Sequence, residues 1–149
     1  MRIEEILEKL DDSQTQWFAW SVALAITADQ KVSKEEKPHL QKLFGLIDRE
    51  LAGAIVDAIK KKRKIELEIF KIKDRILATQ ILFFLVSIFG DDGMVSGSEV
   101  ETIRYIGSKI GFTKEDIDSV LGWTQKNLKL SKERKMLIGL LTNTNPTYH

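Results

Sequence analysis

Cysteine is missing from this 149-residue chain. Its absence excludes disulfides, cysteine-based zinc sites and thiol redox chemistry. Histidine occurs only as His39 and His149, too few to build a nucleophile–His–Asp arrangement or a histidine-rich metal site. Charge of one sign is lacking too: 23 Lys and Arg against 22 Asp and Glu leave a net +1. No overall field therefore favours nucleic acid or an anionic surface. Long hydrophobic runs are also missing. The most apolar stretches, Trp17 to Ala28 and Ile76 to Phe89, fall short of the roughly 20 residues that span a bilayer. The start M-R-I-E-E-I-L-E-K-L is too acidic and amphipathic for a signal peptide. These features lead to the expectation of a cytoplasmic protein forming one domain over residues 1–149.

Proline appears only at Pro38 and Pro146, and apolar residues recur at helical spacing, so the chain reads as an all-α bundle of about seven helices. The first spans about Arg2 to Leu10. Ser13 with Gln16 offers a cap for a second, apolar nearly all round, that runs from about Thr15 to Ala28. Ser33 with Glu36 caps a third, carrying Pro38 early and a stripe of Leu40, Leu43, Phe44 and Ile47. Further helices are predicted from about Asp48 to Lys62, Asp74 to Phe89 and Gly97 to Ile110. The alternating K-I-E-L-E-I-F, Lys64 to Phe70, reads as a loop or helix start, because a strand without a partner is not stable. Thr113 with Asp116 caps a helix expected to end near Trp123, and a last one follows Ser131 to about Leu141. Residues 142–149 read as a loose tail.

Two acidic turns share one pattern. Asp29, Val32, Ser33 and Glu36 match Asp92, Val95, Ser96 and Glu99 at a constant offset of 63. The match extends to Leu40, Leu43 and Ile47 against Ile103, Ile106 and Ile110, and to Trp20 and Val22 against Phe83 and Leu85. This is one unit used twice: apolar helix, acidic turn, capped amphipathic helix. Such a unit cannot bury its apolar face alone, and two packed about a pseudo-twofold axis solve that.

Two readings fit the acidic residues. In the first, the Asp residues hold their turns and the Ser and Glu residues make capping boxes. In the second, Asp29, Glu36, Asp91, Asp92 and Glu99 converge on a divalent cation such as Ca²⁺, Mg²⁺ or Mn²⁺. An EF-hand is excluded. With Asp92 at position 5 and Glu99 at 12, positions 1 and 3 fall on Ile88 and Gly90, which supply no side-chain oxygen.

The stretches A-D-Q-K-V-S-K-E-E and G-D-D-G-M-V-S-G-S-E, followed by I-G-F-T-K-E-D-I, resemble the TerB-like family over about Trp17 to Trp123. That family takes its name from tellurite-resistance proteins. The resemblance implies an all-helical fold of two related halves and a stress- or defence-associated module. It implies divalent-metal binding or protein interaction rather than an enzyme, with a protein partner that is in some systems membrane-associated. The family's acidic positions fall on Asp29, Glu36, Asp92 and Glu99. Gln30 departs from the glycine common there, so the second turn, with Asp91 added, is the more intact.

The basic run K-K-K-R-K, Lys60 to Lys64, suits phosphate groups on lipid or nucleic acid. It also closes a helix, where cations complement the dipole. No aromatic residues interleave with it, so nucleic acid is not the expected partner. Trp17, Trp20 and Trp123 read as core, and Gly107, Gly111 and Gly122 as packing or C-cap positions.

Overall fold

A computed structural model describes residues 2–28, 37–89 and 95–148. Among them are seven helices and no strand: α1 (Ile3–Leu7), α2 (Asp12–Ile26), α3 (Lys37–Leu46), α4 (Arg49–Lys60), α5 (Arg75–Ser87), α6 (Gly97–Lys109) and α7 (Lys114–Thr142). The all-α expectation holds. α2 lies centrally, touching α3, α4, α5 and α6. Its apolarity on nearly every face follows from that position: Phe18, Ala19, Val22 and Ala23 are fully buried. One hydrophobic cluster draws on every helix, from Ile3 and Ile6 on α1 to Ile117 and Leu121 on α7.

Caps set most of the starts. Ser96 accepts from the Glu99 N–H while the Glu99 carboxylate accepts from the Ser96 N–H, and Thr113 and Asp116 form the same box for α7. The Thr113 N–H donating to the Asp116 carboxylate holds that carboxyl below its ordinary value. Asp48 and Asp74 cap α4 and α5. α2 differs from expectation. Its cap is Asp11, boxed with Gln14, rather than Ser13 with Gln16. The string D-D-S-Q-T-Q holds two overlapping boxes, and the earlier one adds helical residues. Ser33 and Glu36 lie outside the described residues, so their box is not among these.

Two C-termini close in the same way. After α6 the Phe112 N–H reaches Gly107 O and the Gly111 N–H reaches Ser108 O, with Gly111 at φ +94°. After α4 the Arg63 N–H reaches Ala58 O and the Lys62 N–H reaches Ile59 O, with Lys62 at φ +50°. Both are Schellman closures. Lysine in this left-handed position costs about 1 kcal/mol that glycine would avoid.

Lys64 to Phe70 is neither strand nor helix but an extended strap. Side chains and backbone from two helices hold it: the Trp17 indole N–H donates to Glu68 O at 3.0 Å, the Leu67 N–H donates to the Tyr105 hydroxyl at 2.7 Å, and the Phe70 N–H donates to Lys109 O at 2.8 Å. Leu67 within the strap and Ile72 just after it are buried.

The largest departure is at α7. The predicted break near Trp123 and restart after Ser131 do not occur, and one helix of 29 residues runs through both. Between them T-Q-K-N-L-K-L-S carries no proline or glycine to end a helix. Gly122 is neither a C-cap nor a packing site, for nothing lies within 4 Å of the Cβ it lacks. Trp123 is not core: it is 56% exposed, with its ring set edge-on to Phe83 at 5.5 Å.

Candidate functional site

Of the five residues assigned to a cation, Asp29, Glu36, Asp91 and Asp92 lie outside the described residues. Glu99 lies within them. It is buried, and its Oε1 accepts from the Ser96 N–H at 2.9 Å while its own N–H donates to Ser96 Oγ at 3.2 Å. The capping role of Glu99 is therefore visible directly. A cation at this position would have to share the carboxylate with the cap. α6, which Glu99 opens, packs against α2, so the end of α2 at Thr27 and Ala28 and the start of α6 at Ser98 line one cleft of about 560 Å³.

That cleft is closed on its other side by Ile59 on α4 and by Lys62, Arg63 and Lys64. A second cleft of about 590 Å³, walled by Trp17, Trp20 and Ala54, opens on the other side of the same strap. Arg63 and Lys64 of the basic run thus line both. Part of its charge is answered: Asp57 pairs with Lys61 at 3.0 Å and with Arg63 at 3.4 Å, and Lys64 lies 3.9 Å from Glu66. Tyr105, which also lines the first cleft, spends its hydroxyl on the Leu67 backbone. The geometry favours a solvated helix end held by Asp57, in line with the plainer reading of K-K-K-R-K. His39 is half-buried at the edge of α3, its ring 6.4 Å from Phe84.

The feature that sequence reasoning missed is the second half of α7. Every residue from 129 to 148 is exposed. The helical stretch 129–142 alone projects about 21 Å at 1.5 Å per residue. The reason is legible in the helix's own rotation. At 100° per residue, Ile117, Leu121 and the half-buried Leu128 share the face that meets the bundle. Continued, that face carries Lys132, Lys135, Gly139 and Thr142, which offer a core nothing to bury. A different row, Trp123, Leu130, Leu137 and Leu141 at spacings of 7, 7 and 4, lies about 150° round the helix. Leu130, Leu137 and Leu141 are 62%, 57% and 68% exposed. Read as two helices broken near Trp123, the row is divided and goes unseen.

Among the described residues no helix is long and apolar enough to cross a membrane. They also contain no group of three His, Asp or Glu placed to hold a metal. Comparison with known proteins finds no family model, no curated protein and no solved structure that matches the chain.

Proposed function

We propose that this chain is a non-enzymatic interaction module: a helical bundle that presents the second half of α7 as its docking element. One observation carries the reading. Leu130, Met136, Leu137, Leu140 and Leu141 stand exposed on a single projecting helix, and contiguous apolar surface of this kind marks an interaction site. The resemblance of the doubled acidic turn to TerB-like modules supports the same class of function. Photo-crosslinking in the native host tests it. A diazirine-bearing residue at position 137 is expected to form an adduct with protein or lipid, while the same group at Glu115, on the exposed first turn of α7, forms none. Equal labelling at both positions, or none at 137, would sink the reading.

The divalent-cation reading of Asp29, Glu36, Asp91, Asp92 and Glu99 belongs to the same proposal as a device that ties the two acidic turns together. Calorimetry with Ca²⁺, Mg²⁺ and Mn²⁺ is expected to show binding that the pair Asp92→Asn, Glu99→Gln abolishes and Asp29→Asn weakens less. The alternative is a purely structural cap. In that case no cation gives heat, and Glu99→Gln costs about 1 kcal/mol or less in chemical denaturation.

A further inference from the structure

We propose that the projecting half of α7 docks flat on an anionic lipid surface; this rests on the reading of α7 as the docking element. The near-neutral charge of the chain conceals a strong asymmetry. Residues 124–142 carry Lys126, Lys129, Lys132, Arg134 and Lys135 against the single Glu133, a net +4, which leaves the other 130 residues at −3. The positive charge is thus concentrated on the element that also carries the uncovered apolar row.

The arrangement round the helix suits a bilayer interface. Lys132 and Lys135 lie on the far side of the helix and act only through its field; with Trp123, Leu130, Leu137 and Leu141 facing the acyl boundary, Lys126 and Lys129 fall on one flank. There their ammonium groups reach lipid phosphates while their stems lie against apolar surface. Arg134 falls within the apolar row, and its long stem lets the guanidinium rise to headgroup level. Trp123, at the end of the row nearest the bundle, takes the interfacial position that indoles favour. Trp123 meets Phe83 of α5 at 5.5 Å on this same side, so the near end of the row adjoins the bundle, and Leu130, Leu137 and Leu141 beyond it stand exposed.

Two other occupants fit less well. A second copy would bring one +4 helix against another. A narrow apolar groove offers nothing to the five cations that accompany the row, whereas an anionic interface meets both the charge and the exposed apolar side chains. A fluid interface takes up side chains on both flanks of the row.

Co-sedimentation of the purified chain with vesicles tests the proposal. Binding to phosphatidylcholine vesicles containing phosphatidylglycerol is expected to be at least about tenfold stronger than to phosphatidylcholine alone, and to weaken as salt rises. The pair Leu137→Asp, Leu141→Asp is expected to abolish binding. Reversing Lys126, Lys129 and Lys132 to Glu is expected to weaken it at least about tenfold. Thermal unfolding of both variants should match the parent, because every substituted side chain is exposed. No binding to either vesicle, equal binding to both, or a homodimer in light scattering that the Asp pair dissolves would each overturn the lipid assignment. If vesicles fail but position 137 crosslinks to a protein, the interaction reading survives and the lipid surface does not. If both fail, both readings fall.

Discussion

Phe18→Ala is expected to lower stability by about 3–5 kcal/mol, the cost of removing a buried aromatic ring and leaving a cavity. Phe18 is fully buried on α2, the helix that touches α3, α4, α5 and α6, and its ring lies 5.6 Å from that of Phe84. Few neighbours are free to collapse into the space, since Leu43, Ile81, Leu85 and Ile106 in the same cluster are themselves at most 1% exposed. For a chain of this size the loss corresponds to roughly 10 °C or more in Tm. Urea denaturation with an unchanged slope measures it. Leu137→Ala, the same kind of truncation on the projecting helix, should stay within about 0.5 kcal/mol. A loss below about 1 kcal/mol for Phe18→Ala would mean that α2 is not the centre of this fold.

The second large effect is a reversal of sign. Glycine to alanine inside a helix ordinarily stabilises by roughly 0.5–1 kcal/mol, because glycine loses more conformational freedom on folding. At Gly107 on α6 the same change is expected to destabilise by about 1–3 kcal/mol. A Cβ there would stand 2.5 Å from Ile117 Cδ1 and 2.9 Å from Ile117 Cγ1. Ile117 is 1% exposed and anchors the first turns of α7, so it has little room to retreat. Ile117 of α7 thus packs directly on Gly107 of α6, and the hydrogen atom in place of a methyl permits that approach. Gly122→Ala, with open space around it, should show the ordinary stabilisation instead. Combining Gly107→Ala with Ile117→Ala should cost less than the sum of the two, since the second change removes what the first collides with. Denaturation of the four variants together checks the argument, and a stabilising Gly107→Ala would refute it.

Both effects bear on the docking role proposed for α7. Its first half is held by Ile117 and Leu121 in the core and by the Arg104–Asp118 pair at 2.8 Å. The projecting half inherits its direction from those contacts. Loosening α6 against α7 would shift the projecting half without touching any of its own residues.

How much of this was legible beforehand depended on range. S-G-S-E and T-K-E-D specify the boxes that open α6 and α7, because a capping box is completed within four residues. D-D-S-Q-T-Q misled by offering two such boxes, and only the folded helix shows that Asp11 takes the role. The K-I-E-L-E-I-F strap could be recognised as irregular. Its three tethers to Trp17, Tyr105 and Lys109 could not, since those partners lie tens of residues away in sequence. Of the matched positions, Val22, Leu85, Leu43 and Ile106 are buried, whereas Leu40 and Ile47 are half-buried where Ile103 and Ile110 are buried. The candidate site was legible only in part: the structure displays Glu99 in its cap, and the other four acidic residues lie outside the described residues.

By itself the sequence determined the helical class and most of the helix ends among the described residues, because these follow from periodicity and caps. Only the tertiary structure decided which apolar rows find cover. Trp123, Leu130 and Leu137 look as buriable as Ile117 and Leu121 when read along the chain. Burial depends on what stands opposite, and beyond Leu128 the bundle-facing side of α7 turns to Lys132, Lys135 and Gly139. The helix therefore leaves the core there and carries its other apolar row outward, uncovered.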